Sequence, residues 1–238
     1  MHYLDWAKLA ALDPEAYQAR KPFPWLNPEG LLTAEGYEAL YLNLPDVSRF
    51  KREFGVDRTA GQRPHDRYTL QYRSDTPLPG PWREFLEELK SECYKHALCR
   101  LAGVRNLELN FHWHYTPNGC SVSPHCDSTR KLGSHIFYFN TEKDWKPEWG
   151  GETVVLDDHG RFDAKSAPTF DEFDSAEASV ALGNHSLLFT RRGNSWHGVR
   201  EIRCPDGDMR RVFIVVINRA DPLTRLRAVL SRKGLERY

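Results

Sequence analysis

The sequence predicts a mostly β fold with flanking α: an antiparallel sandwich or barrel with helices against one sheet. Three observations carry this. Helix signals crowd the chain before Gly103, and short β-prone runs crowd it afterwards. Turn residues separate those runs at close spacing. Strands that follow helices, instead of alternating with them, belong to antiparallel sheets.

The elements follow in order. Asp13-Pro14-Glu15 supplies a cap, a proline for the first helical position and an early acid. Thr33-Ala34-Glu35 opens a second helix that runs through EGYEALYLNL towards Pro45. The stretch Ser48–Pro79 is charged and turn-rich, with one strand-like run, RYTLQY at Arg67–Tyr72. Pro81–Ala102 reads as one long helix, with Trp82, Phe85, Leu86, Leu89, Cys93, Ala97 and Leu101 at three- and four-residue steps and Gly103 as its C-cap. Such a stripe suits the covering of a sheet face. Strands are expected at Leu107–Tyr115, His135–Asn140, Glu152–Leu156, Ser186–Thr190 and Arg211–Ile217, with PNG, EWGG, DDHG and PDGD as turns between them. The whole reads as one domain, 1–238: a helical support region 1–103, a β core 104–220, and a C-terminal tail or helix 221–238.

Composition narrows the function classes. Hydrophobic residues make up 40% and charged residues 28%, the balance of a foldable soluble chain. Lys+Arg and Asp+Glu both number 33, so neither nucleic acid nor an anionic membrane is expected as partner. The 5 cysteines form no C-x-x-C pair, the N-terminus shows no secretory signal, and no apolar run is long enough to span a bilayer. A cytoplasmic setting with free thiols is expected.

The chemistry begins at Ser123–Thr129, SPHCDST. On a strand, residues two apart share a face, so His125 and Asp127 would enter one space and Cys126 would point away. An H-x-D pair alone is weak evidence, because ten histidines produce one by chance in a chain of 238. A second histidine would complete a two-histidine, one-carboxylate triad, which leaves three octahedral positions open. His185 in GNHSLL and His197 in RRGNSWHGVR are the candidates, and the glycine-bearing loop favours His197. Asn110, His112 and His114 share one face of a strand, which either lines a pocket or meets water. Their H-x-H raises the cupin metal motif, but Asn118 and Gly119 stand where its glutamate belongs. H-E-x-x-H, G-x-S-x-G and phosphate-loop signatures are absent.

Four runs in this order, YTPNGCSVSPHCDST, HIFYFNTEKDWKPEWGGETVVL, SWHGV and GDMRRVFIVVI, resemble the iron(II)- and 2-oxoglutarate-dependent oxygenases. The likeness is closest to the prolyl-hydroxylase branch, spans Tyr115 to Asn218, and extends to PFPWLNPEGLLTAEGYEAL near the start. It implies a double-stranded β-helix, a jelly-roll or cupin-like barrel buttressed by the N-terminal helices. It implies an iron site of His125, Asp127 and His197, with no catalytic residue beyond those ligands. The cofactors would be Fe(II), 2-oxoglutarate and O2, with ascorbate as reductant in vitro. In this family the far carboxylate of 2-oxoglutarate meets a basic residue on the strand after the distal histidine. Adjacent strand residues face opposite ways, so either Arg210 or Arg211 points inward, and the family's spacing favours Arg210. Tyr138 matches a tyrosine that shares that carboxylate, with a purely core role as the alternative.

The implied reaction is hydroxylation of an unactivated C–H bond, releasing succinate and CO2. Asp127 favours hydroxylation, since related halogenases carry a small residue there. The compact chain favours a small-molecule substrate, an amino acid or a biosynthetic intermediate. The alternatives are a prolyl or peptidyl residue on a partner protein, or a metal-binding β-sandwich without turnover. Trp113, Trp145, Trp149 and Trp196 are expected near the mouth, with ordinary core or rim packing as the alternative. Substrate-binding residues and oligomeric state stay open.

Overall fold

The structure is a computed structural model and describes residues 1–56 and 62–220; the tail or helix expected over 221–238 lies outside the described residues. Helix starts follow their caps. Asp5 heads α1 (Trp6–Ala11), and Asp13 accepts from the N–H groups of Glu15 and Ala16 at the head of α2 (Pro14–Ala19). Thr33 accepts from the N–H of Gly36 to open α3 (Ala34–Leu42).

The long helix expected over Pro81–Ala102 is two: α4 (Gly80–Lys90) and α5 (Glu92–Ala102). Ser91 takes an extended ψ of 152° and its hydroxyl accepts from the N–H of Tyr94, so one residue ends α4 and caps α5. The break resets the buried stripe. Trp82, Phe85, Leu86 and Leu89 are buried on α4, Tyr94, Leu98 and Leu101 on α5, and Cys93 turns to solvent. Gly103 closes α5 at φ 66°, a left-handed turn that glycine adopts without strain.

The strands are β1 (Trp25–Leu26), β2 (Lys51–Glu53), β3 (Arg67–Gln71), β4 (Leu107–Pro117), β5 (Val122–His125), β6 (Lys131–Tyr138), β7 (Val154–Asp157), β8 (Ser175–Ala178), β9 (Ser186–Thr190), β10 (His197–Val199) and β11 (Met209–Arg219). They form a seven-stranded sheet in the order β1-β9-β6-β11-β4-β3-β2 and a four-stranded sheet in the order β5-β10-β7-β8. Every pairing is antiparallel. This is the expected jelly roll, mostly β, with helices against the larger sheet. The support region before Gly103 is not purely helical: the expected RYTLQY run forms β3, and two strands that were not expected, β1 and β2, lie at the two edges of that sheet. Strands of two to four residues show too little alternation to stand out in a sequence.

Alternation along β11 sorts the two faces. Phe213, Val215 and Ile217 join Trp82, Phe85, Trp113 and Phe137 in the core between sheet and helices. Val212 and Ile214 point the other way, into the barrel, where Val212 packs with Tyr138, Ile136, Val155, Leu187 and Phe189. Full burial of each such side chain contributes about 1.5–3 kcal/mol. Directly opposed residues share a face, so His114 opposite Val212 and His112 opposite Ile214 also face the barrel. Of the tryptophans expected at the mouth, Trp149 lines a cavity with Ser123, Pro124 and Glu152, and the other three pack elsewhere. Trp113 belongs to the helix–sheet core, Trp196 packs with Val154 and Leu156, and Trp145 packs with Ile202 and Cys204 beside Trp149. Large rings with one polar atom serve these cores well, which is why their presence says little about a pocket.

Candidate metal centre and cosubstrate pocket

β5 and β10 lie side by side with His125 directly opposite His197, so pairing alone brings together residues distant in the chain. Their rings stand 4.4 Å apart at 50°. Strand β5 ends at His125, so Asp127 sits on the turn that follows and not on the strand the i, i+2 argument assumed. The turn still carries its carboxylate to the imidazoles. One donor atom from each of His125, Asp127 and His197 lies within 4.8 Å of the others, and no other such grouping of three occurs among the described residues. His185 is elsewhere, held by the carbonyl of Leu182. Cys126 turns away and packs beside Val154, Leu156 and Trp196.

Hydrogen bonds fix what each donor presents. Nδ1 of His125 lies 2.9 Å from the carbonyl of Ser123, and Nδ1 of His197 lies 2.9 Å from the carbonyl of Ser195. A carbonyl only accepts, so Nδ1 carries the proton in both rings and Nε2 keeps its lone pair. On Asp127, Oδ1 accepts from the Lys131 ammonium at 2.9 Å, whereas the buried Oδ2 has no hydrogen-bond partner. Burial pushes the Asp127 carboxyl up, but the Lys131 ammonium and the two imidazoles outweigh it and hold it well below the usual carboxylate range. Burial lowers His197 against the opposing pull of Asp127, which favours the neutral imidazole a metal needs. Two neutral imidazoles and one carboxylate with an orphaned oxygen are a donor set that fits a ferrous ion.

A second polar cluster lies deeper in the barrel. Arg210 is 6% exposed, and it donates from Nε to the carbonyl of Gly151 and from Nη2 to Oγ1 of Thr153 at 3.2 Å. Its guanidinium carbon stands 5.6 Å from the centre of the Tyr138 ring. The Tyr138 hydroxyl reaches Oγ1 of Thr153 at 3.0 Å and Oγ of Ser179 at 2.8 Å. No carboxylate lies within ion-pair distance of Arg210 among the described residues. Gly151 makes this approach possible, with φ +101° and a position at which a Cβ would stand 3.3 Å from Cδ of Arg210. Arg211 points outward and pairs with Asp144.

Three supporting residues, Lys131, Arg191 and His65, carried no sequence signal. Lys131 and Arg191 both hold Asp127, the latter by Nε to its main-chain oxygen at 3.1 Å. His65 hydrogen-bonds Oγ of Ser123 at 3.0 Å and braces the residue that orients His125. His112 and His114 face the barrel; burial lowers both, with Lys131 and Arg67 adding to the effect, and His112 falls to about 4. The pocket-lining alternative for this strand face is the one the register supports.

Comparison with known proteins places this geometry. Residues 111–217 match the 2OG-Fe(II) oxygenase superfamily. No curated protein matches the sequence. Among solved structures, a Pseudomonas putida prolyl-4-hydroxylase superposes with a TM-score of 0.62 at 16% identity, covering 90% of this chain and 100% of that one. A Trichoplax adhaerens prolyl hydroxylase in complex with a hypoxia inducible factor oxygen degradation domain peptide gives 0.63 at 13% identity, over 95% and 94% of the two chains. The non-heme alpha ketoglutarate dependent epimerase SnoN from nogalamycin biosynthesis gives 0.60 at 16% identity, over 91% and 82%. At such identities the structures share the fold, and the family match is carried by residues 111–217: that span is a 2OG-Fe(II) oxygenase domain, and the chain is a dioxygenase that uses Fe(II), 2-oxoglutarate and O2.

Proposed function

We propose that this dioxygenase, acting as a single domain, hydroxylates an unactivated C–H bond of a small molecule, an amino acid or a biosynthetic intermediate, releasing succinate and CO2. His125, Asp127 and His197 hold the iron, and Arg210 with Tyr138 takes the far carboxylate of 2-oxoglutarate. The observation that carries this is the meeting of one donor atom each from His125, Asp127 and His197 within 4.8 Å, in a barrel that also buries the Arg210 guanidinium with no ion-pair partner among the described residues. Bound iron supplies activation of O2 against the cosubstrate.

The protein's own part is positional. The carbonyls of Ser123 and Ser195 set both ring tautomers. Lys131 occupies Oδ1 of Asp127, so the carboxylate would offer a bound metal its other oxygen, Oδ2. Thr153 and Ser179 hold the Tyr138 hydroxyl next to Arg210, and Ile136, Val155, Leu187 and Phe189 keep water from the barrel interior.

The test is succinate formation by the purified chain with Fe(II), ascorbate and 2-oxoglutarate, with candidate substrates scored by the mass gain of one oxygen. Asp127→Ala is expected to abolish succinate formation; persistence at the wild-type rate overturns the ligand set. A prolyl or peptidyl residue of a partner protein is the second reading, favoured by the prolyl hydroxylases among the similar folds. Oxygen gain on peptides and none on a metabolite panel would establish it.

A further inference from the structure

The H-x-H pattern of β4 takes no part in the metal centre, yet strand register places it beside that centre. His112 lies opposite Gln71 and His114 opposite Thr69 on β3, so the four side chains share a face. Tyr68 and Leu70, the alternate residues of β3, pack into the core on the helix side, which leaves the four on the barrel side. Thr69, Gln71 and His114 are half-buried and His112 is 8% exposed, so this wall is sheltered and still partly open. The two imidazole rings stand 5.9 Å apart at 64°.

The metal ligands adjoin the wall on two sides. His65, just before β3, puts its ring 4.7 Å from the ring of His125. Lys131, whose Nζ sits on Asp127, is close enough for its charge to act on both His112 and His114, and the charge of Arg210 acts on His114. The wall therefore runs from the metal ligands towards the arginine assigned to 2-oxoglutarate.

Charge and hydrogen bonding set what the wall can hold. Burial, with the charges of Lys131 and Arg67, keeps both imidazoles neutral, and His112 falls to about 4. Surroundings that refuse a proton on imidazole oppose a substrate ammonium for the same reasons. An anion gains little either. Lys131 already meets Asp127 at 2.9 Å, Arg67 and exposed Lys51 meet Glu53 at 3.8 and 3.3 Å, and Glu108 stands on the same face of β4. Neutral imidazole, hydroxyl and carboxamide each donate and accept a hydrogen bond, which suits groups that do both.

We propose that the substrate lies against the β3–β4 wall and is held there by His112 and His114 through an uncharged hydrogen-bonding group, a hydroxyl or an amide. This rests on the assignment of His125, Asp127 and His197 as metal ligands and on oxidation of a small molecule. It narrows the substrate to compounds whose group at this wall is neutral. Thr69 and Gln71 extend the contact along β3.

The test uses the full chain loaded anaerobically with Mn(II) and 2-oxoglutarate. It reads the paramagnetic relaxation of ring protons in four probes of similar shape: benzyl alcohol, benzamide, benzoate and benzylammonium. A neutral probe is expected to bind about tenfold more tightly than either charged one, and the better of the two neutral probes names the group. His112→Phe and His114→Phe are each expected to weaken that probe about tenfold, with partial recovery in His112→Asn and His114→Asn and with Mn(II) and 2-oxoglutarate affinity retained. Charged probes bound as well as neutral ones by wild type, or no relaxation of either neutral probe, overturns the inference without any variant. So does undiminished probe binding in both folded Phe variants, or a loss of 2-oxoglutarate affinity in place of probe affinity, which would put the imidazoles on the cosubstrate. Failure of wild type to bind Mn(II) overturns the ligand set and this inference with it, so the two failures are told apart.

Discussion

Arg210→Gln removes a charge and leaves the barrel nearly as full. The guanidinium is 6% exposed and already donates to Gly151 and Thr153, so its remaining donors are what a dicarboxylate would meet. Removing one partner of a buried, hydrogen-bonded charge pair costs about 3–5 kcal/mol. That raises the dissociation constant for 2-oxoglutarate by about two to three and a half decades. The assay is calorimetric titration of 2-oxoglutarate into anaerobic, Mn(II)-loaded protein, with metal affinity and thermal midpoint recorded for each variant. Arg211→Gln is the matched control. It breaks a partly exposed pair with Asp144 on the other face, worth about 0–1 kcal/mol, and changes affinity by less than about sixfold. A folded Arg210→Gln protein within about threefold of wild type, or an Arg211→Gln protein weaker than it, would refute the pocket assignment.

Two further expectations concern stability. His135 is fully buried against Tyr94, whose hydroxyl lies 2.8 Å from Nδ1, and burial pushes it down to about 3. Its folded value is below the unfolded value of about 6.5, so only the unfolded chain takes the proton between those values, and stability falls as pH drops below about 6.5. At pH 5 this costs about 2 kcal/mol, so urea titrations of metal-free His135→Phe should lose about that much of the wild-type difference between pH 7 and 5; an unchanged difference would count against a neutral buried imidazole. Gly151→Ala places a methyl group 3.3 Å from Cδ of Arg210 at φ +101°, and is expected to cost about 1–3 kcal/mol by urea denaturation while weakening 2-oxoglutarate binding. Wild-type stability and affinity in that variant would show that the turn relaxes freely.

What the sequence revealed has a local cause. Caps at Asp13 and Thr33, the left-handed stop at Gly103, and the alternating runs of β4, β6, β9 and β11 depend on neighbours a few residues away, and all formed. The H-x-D pair was visible because both residues sit in one short segment; the histidine that joins them was chosen by its loop and by family likeness, not by distance. Ser91 shows the limit of periodicity, since a serine inside an apolar stripe does not announce that it will cap a second helix.

The tertiary structure decided what depends on pairing between remote strands. The register of β5 on β10 sets His125 against His197, and the antiparallel match of β11 with β6 puts Val212, and with it the inward parity of Arg210, on the Tyr138 side of the sheet. Lys131 on one oxygen of Asp127, and Arg191 on its carbonyl, follow from the turn between β5 and β6 meeting the end of β9. These contacts have no signature in composition or spacing. Residue type and local pattern determined which groups the chain possesses, and long-range hydrogen-bond register determined which of them meet.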